Sequence, residues 1–276
     1  MDLSQVLEIV SRSDPGMVRS HNEDAVHSSA GLGLAILADG MGGYNAGEVA
    51  SGMVTALLAS ELEQAFGRPE SRLIDKDGRQ STGGLLEAEI TRANSAVYQA
   101  AQSQPQYAGM GTTLVMAVFY DNAITVAHIG DSRLYRLRGE EFRQITRDHS
   151  LLQEQIDSGM LTVEQARNSQ NKNLVTRAVG VDPSVEPEIH EYATLPGDIY
   201  LLCSDGLNDM VEDDEIGTTI GMLSANLELA ATQLIQMAND NGGRDNVSVI
   251  LVRVRRAYPA PRGLGGWLAR LLAWFK

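Results

Sequence analysis

Cysteine is almost missing: Cys203 is the single thiol in 276 residues. That excludes an intrachain disulfide framework and suits a reducing cytoplasm. Long apolar runs are missing too, none reaching the roughly 18 residues of a membrane-spanning helix. The N-terminal "MDLSQVLEIVSRSD" has neither a basic start nor an apolar h-region, so no secretory signal is expected. Positive charge is scarce: 22 Lys and Arg face 36 Asp and Glu, a net charge of −14. Such a balance argues against general nucleic-acid binding, which needs a basic face. It leaves room for carboxylates gathered around cations. Internal repeats and low-complexity segments are lacking as well.

What is present is apolar material, 43% of the chain, enough for a substantial core. Strands are expected at 6–13, 25–29 and 33–38, with "DPG" at 14–16 as a turn signal. Residues 46–66 and 85–102 carry helical apolar spacing and are joined by a polar connection. Strand signals then crowd together at 112–120, 123–129, 132–138 and 141–145, predicting an antiparallel meander. Helical pieces at 151–158 and 162–168 interrupt it. Strands at 184–192 and 197–203, helices at 213–223 and 226–239 and a strand at 247–255 complete the body. Strands that neighbour in sequence, with helices in separate blocks, predict an α+β fold with antiparallel sheets.

"YPAPRGLGG" at 258–266 sets a boundary. One domain spans 1–257, followed by a Pro/Gly linker and a short basic amphipathic tail over 258–276. Residues 253–276 carry six basic side chains and no acidic one, which marks a segment with a task of its own. In "GWLARLLAWFK", Trp267, Leu268, Leu271, Leu272 and Phe275 recur at helical spacing. The first reading of that stripe is packing on the body or on a partner protein. The second is a weak, reversible helix on an anionic membrane surface.

The chemistry is carried by aspartates. "AILADG", "VAHIGDS" and "YLLCSDG" each end an apolar run in Asp39, Asp131 or Asp205, and "GGRDN" places Asp245 just before a strand. One such acid is ordinarily a turn residue or helix cap. Four of them without matching Lys or Arg nearby call for a bound cation. Oxygen ligands without Cys or clustered His suit Mg²⁺ or Mn²⁺. "LAILADGMGGYNAGEVAS" is built like a phosphate cradle, as strand, glycine-rich turn and helix. However, a carboxylate heads the turn, and no Gly-Lys-Ser/Thr follows Gly43. Gly40, lacking a side chain, lets its carbonyl approach a metal. "GMVRSHNEDA" supplies Arg19 as a bidentate phosphate clamp, and Glu23 and Asp24 to orient metal-bound waters.

Taken in order, "RSHNEDA", "ILADGMGGYNAGEVAS", "GMGTTLVMAV", "AHIGDSRLYRLR", "ITRDHSL", "NLVTRAVG", "LLCSDGL" and "GGRDNVSVILV" cover nearly the whole body. This series resembles the metal-dependent protein phosphatases of type 2C, in their compact bacterial branch. The resemblance implies a central antiparallel β-sandwich flanked by helices, a four-layer αββα arrangement. It implies two Mn²⁺ or Mg²⁺ ions and a third, weaker one. Asp39, Asp205 and Asp245 would hold the first metal; Asp39 and the Gly40 carbonyl would hold the second. Glu23 would reach the second metal through water, and Asn246 would support the site. Asp131, with Asp205, would hold the third metal, and Arg19 would bind substrate phosphate.

The activity implied is hydrolysis of phosphoserine and phosphothreonine on proteins by a metal-bridged water, opposing bacterial Ser/Thr kinases. A phosphorylated regulatory protein is the second substrate class, and a non-enzymatic binding module the third reading. A monomer in the cytoplasm is expected, its tail docking weakly either on a protein or at the inner-membrane surface. Two departures matter. Met41 stands where many eukaryotic members carry His, which leaves a metal-bound water as proton donor and His149 as fallback. In the flap, expected over 151–177, Ser169 and Gln170 replace a His-Pro pair.

Overall fold

Period-two alternation along the apolar strands decides the layering. In β3 (Leu34–Met41), Leu34 and Ile36 face one side of a sheet while Ala35 and Leu37 face the other. A computed structural model describes residues 2–43, 46–67, 82–162, 165 and 174–259. Among them, eleven strands form two sheets with antiparallel neighbours.

The first sheet has the order β1 (Leu7–Asp14), β11 (Val247–Val254), β10 (Ile199–Cys203), β7 (Arg133–Arg138), β8 (Glu141–Gln144). The second runs β2 (Asp24–Ser29), β3, β5 (Leu114–Tyr120), β6 (Ala123–Ile129), β9 (Glu188–Ala193). The two-residue β4 (Gly111–Thr112) pairs with the end of β3. Helices α1 (Ala46–Gly67) and α2 (Thr82–Ser103) cover the second sheet. Helices α5 (Asp213–Met222) and α6 (Leu227–Asp240) cover the first. Two short helices, α3 (Leu151–Asp157) and α4 (Asp205–Asn208), follow strand ends.

Three buried clusters correspond to the three interfaces between four layers. Leu58, Leu62, Ile90 and Val97 meet Leu34, Ile36 and Met116. Ile216, Ile220 and Leu234 meet Leu201, Val249 and Leu251. Between the sheets, Leu37, Val115 and Phe119 meet Tyr200, Leu202 and Ile250. Phe119 and Tyr200 pack edge to face with centroids 5.4 Å apart, a contact worth about 0.5–1.5 kcal/mol beyond area burial. The αββα sandwich expected from the resemblance is the architecture observed.

Three local expectations change. The meander over 112–145 is divided between the sheets, because β5 and β6 belong to one and β7 and β8 to the other. The chain crosses at residues 130–132, where Gly130 adopts a φ of +101° that a side chain would strain. The strand expected to stop at Ala38 continues through Asp39 and Gly40 to Met41, since β4 supplies partners for Gly40 and Met41. The strand expected from residue 184 begins at Glu188, opposite His128 of β6. Most of the 162–168 helix, part of the flap with Ser169 and Gln170, the tail beyond residue 259, and part of the 67–84 connection lie outside the described residues. Tyr258, at the expected boundary, is buried against the body and bonds to Thr194 and Ala123.

Candidate metal centre

Antiparallel register brings the acids to one end of the sandwich. Asp39 near the end of β3 stands opposite Asp24 at the start of β2. Asp205, one residue beyond β10 after Ser204, is the first residue of α4, and Asp245 lies two residues before β11, the antiparallel neighbour of β10. Asp131 follows β6, whose end lies level with the start of β5 and hence with the end of β3. Asp24 and Asp39 thus come from the second sheet, Asp205 and Asp245 from the first, and Asp131 from the crossing between them.

Hydrogen bonds hold the loops that carry these groups. The Asn246 amide accepts from the Glu23 N–H at 2.7 Å and donates to the carbonyls of Pro15 (3.0 Å) and His21 (2.9 Å). One side chain therefore ties the 15–23 loop to the Asp245 loop. The Glu23 carbonyl accepts from the Ser51 hydroxyl at 2.5 Å and from the Gly40 N–H at 3.1 Å. Thr113 brackets the Asp39 backbone, donating its N–H to the Asp39 carbonyl at 2.9 Å and accepting the Asp39 N–H at 3.1 Å. Thr112 Oγ1 donates to the same carbonyl at 2.8 Å.

Gly40 is required by proximity. A Cβ there would lie 2.2 Å from the Gly47 carbonyl oxygen and 2.6 Å from that of Glu23. The glycines of the opening turn therefore let α1 press against the strand that carries Asp39. Turn geometry and close helix packing are what the sequence suggests for Gly42, Gly43 and Gly47, in keeping with the contact at Gly47; the hydroxyls of Thr113 and Ser204 were not found. The only signal for them was a small polar residue at each strand terminus facing an acid.

Electrostatics favour a cation here. Burial, and then the charges of Asp24, Asp205, Asp131 and Asp245, push the Asp39 carboxyl well above the ordinary range. Burial and the charges of Asp131, Asp209, Asp245 and Asp24 do the same to Asp205. Burial raises Asp24 and Asp131 each to about 6, and Glu23 is raised, again chiefly by burial. Asp24 Oδ2 accepts from the Ser204 hydroxyl at 2.9 Å, while Oδ1 is buried without a hydrogen-bond partner. Arg19 donates to Asp245 Oδ2 at 2.6 Å, and that bond raises the guanidinium's own pKa. An all-oxygen donor set, half-buried and mutually repelling, with an orphaned carboxylate oxygen beside it, fits hard divalent cations.

The chain matches the protein phosphatase 2C family over residues 18–250. It belongs to that family. The serine/threonine protein phosphatase PstP of Mycobacterium tuberculosis is 40% identical over 249 residues, covering 90% of this chain and 45% of that protein. Protein phosphatase PhpP of Streptococcus pneumoniae is 37% identical over 251 residues, covering 89% of this chain and 97% of that one. The chain thus spans about half the length of the mycobacterial relative and nearly all of the pneumococcal one. A crystal structure of the PstP catalytic domain with two manganese ions superposes with a TM-score of 0.77 at 39% identity. It covers 90% of this chain and 98% of that one.

Within this phosphatase 2C domain, two residues from the proton-donor question are located. Met41 pairs with Gly111 at the end of β3 and offers no proton. His149 is buried; its Nδ1 accepts the Gly130 N–H at 3.2 Å and its Nε2 lies 3.4 Å from Glu188 Oε2. Both ring nitrogens face protein groups, which argues against His149 as the fallback acid. His128, His149 and Glu188 form a group whose potential ligand atoms lie within 4.8 Å of one another. Their hydrogen bonds fill that role without an ion: His128 Nε2 donates to the Arg147 carbonyl at 2.8 Å, and Nδ1 of His149 is already an acceptor.

Proposed function

We propose that this chain is a metal-dependent phosphoserine/phosphothreonine protein phosphatase that removes phosphate placed on proteins by bacterial Ser/Thr kinases. The observation that carries the reading is the half-buried, mutually repelling carboxylate group beside Arg19 in a chain of this family. Asp39, Asp205 and Asp245 hold one divalent cation; Asp39 and the Gly40 carbonyl hold a second; Asp131 with Asp205 holds a third, weaker one. When bound, two such Mn²⁺ or Mg²⁺ ions supply an acidified water and neutralise phosphate charge.

The chain's own residues do the rest. Arg19 is half-exposed beside Asp245, and its guanidinium can orient two phosphate oxygens and absorb charge as the P–O bond breaks. Glu23 and Asp24 orient solvent around the ions, and Asn246 keeps Glu23 and Asp245 in register. Turnover of a phosphothreonine peptide tests the reading. It requires Mn²⁺ or Mg²⁺, and undiminished hydrolysis after exhaustive chelation would sink it.

The catalytic domain occupies 1–257, with the 258–276 segment as an appended basic tail. Among the described residues no helix is long and apolar enough to cross a membrane. We place the enzyme in the cytoplasm as a monomer whose tail docks weakly on a protein surface or at the inner membrane. Equal partitioning of full-length and Gly263-truncated protein on anionic vesicles excludes the membrane alternative.

A further inference from the structure

The crossing between the sheets is held from two sides. On one side, a Cβ at Gly130 would lie 2.8 Å from both Cβ and Cγ2 of Thr113, the residue that brackets the Asp39 backbone. Thr113 Oγ1 also lies 2.7 Å from the Ser132 hydroxyl. On the other side stands His149. Its main-chain N–H donates to the Gly130 carbonyl at 2.9 Å, while the Gly130 N–H donates to its ring Nδ1 at 3.2 Å. The His149 carbonyl in turn accepts from the Thr176 N–H at 2.8 Å, next to a bridge between Ser150 and Val175.

The bond from Gly130 fixes the tautomer. With Nδ1 an acceptor, the proton sits on Nε2 and points at Glu188, 3.4 Å away. The ring stacks on His128 at a centroid distance of 4.7 Å. Burial, and then His128 and Arg177, lower its pKa, which keeps Nδ1 free to accept. A ring locked in this way is suited to holding a backbone turn and unsuited to exchanging protons.

We propose that His149 is a positioning residue for the cation held by Asp131: it clamps Gly130 through two reciprocal hydrogen bonds and so aims the adjoining carboxylate. The inference rests on the assignment of Asp131 as a cation ligand. Groups that orient a ligand without touching the metal typically carry 10- to 100-fold in metal affinity. The Asp131 site is the weakest of the three, so its occupancy responds first. The hydrogen bonds of His149 go to Gly130, Thr176 and Glu188, and none goes to Asp39 or Asp205.

The test is a Mn²⁺ titration of the full chain by calorimetry and electron paramagnetic resonance, with melting temperature recorded for each variant. His149→Ala is expected to weaken the last Mn²⁺ step by about 10- to 100-fold and to leave the tighter steps in place. Asn puts an acceptor oxygen near the position of Nδ1, whereas Gln reaches toward that of Nε2. His149→Asn is therefore expected to restore the last step and His149→Gln not to. This contrast keeps the proposal testable even if the alanine variant folds poorly. In Asp131→Asn, adding His149→Ala should bring no further loss. Wild-type Mn²⁺ binding by His149→Ala overturns the proposal, as does equal rescue by Gln and Asn, or full additivity with Asp131→Asn. If Asp131→Asn alone leaves Mn²⁺ binding unchanged, the ligand assignment falls with it, while peptide turnover still judges the phosphatase reading separately.

Discussion

Asp131→Asn should stabilise the metal-free protein at neutral pH while weakening it in the presence of Mn²⁺. Burial and the neighbouring charge of Asp148 raise the Asp131 carboxyl from 3.8 to about 6. The folded state therefore keeps this proton to higher pH than the unfolded state does. Its contribution to stability is complete below pH 3.8 and is lost as pH rises through about 6. A displacement of about two pH units corresponds to about 3 kcal/mol, or roughly 6–12 °C in melting temperature for a domain of this size. Asparagine carries no charge at any of these pH values. In chelator, the variant's advantage should grow from pH 4 to 7 and then level off. With saturating Mn²⁺ the order should reverse, because only the wild type gains a charged ligand. Calorimetric melting of both proteins across that range is the assay. A difference that does not change with pH, or a wild type more stable than the variant at pH 7 in chelator, would refute the reasoning. Taking the difference between the two proteins removes the opposite contribution of paired acids such as Glu8, whose pKa is lowered.

Further outcomes concern single groups. Asp39→Asn and Asp205→Asn should abolish peptide turnover and lower Mn²⁺ stoichiometry; a variant that retains wild-type rates would remove that residue from the metal set. Arg19→Lys should raise KM for phosphopeptide far more than it changes Mn²⁺ affinity, because an ammonium cannot bind two phosphate oxygens in a fork. Unchanged KM in steady-state assays would count against the clamp. Gly40→Ala forces a carbon within 2.2 Å of the Gly47 carbonyl oxygen, so it should separate α1 from β3 and lower the melting temperature. Asn246→Ala removes the partner of the half-buried Glu23 N–H and of the carbonyls of Pro15 and His21, two exposed residues, so the cost should be that of the one donor shielded from water, about 1–3 kcal/mol. Denaturant titration should show the loss.

The layering could be read from the sequence because each strand's apolar residues alternate between two interfaces, as Leu34–Ile36 and Ala35–Leu37 do in β3. The acids could be read because each sits beside a strand terminus in a recognisable piece. The assignment of strands to sheets could not. The gap between 129 and 133 has the length of a hairpin turn, and no local pattern separates a hairpin from a crossing between layers. Gly130's positive φ is the single local cause, and a glycine serves either outcome. Close helix packing at Gly47 could be read, but not that Gly40 is the residue it meets, since that belongs to tertiary packing. The role of His149 depended on which atom faced Gly130, a matter of orientation rather than composition.

The origin of the acids in different sheets has a mechanical consequence. A chain with one thiol has no covalent link across its sandwich. On the proposed assignment, a cation shared by Asp39 and Asp205 would close a loop of well over a hundred residues and join the two sheets at one end, as a disulfide would. Unlike a disulfide, this link would open and close with the supply of Mn²⁺ or Mg²⁺. The slowest hydrogen exchange and the strongest resistance to proteolysis should therefore belong to the loaded protein, with β3 and β10 loosening together when the ion is withdrawn.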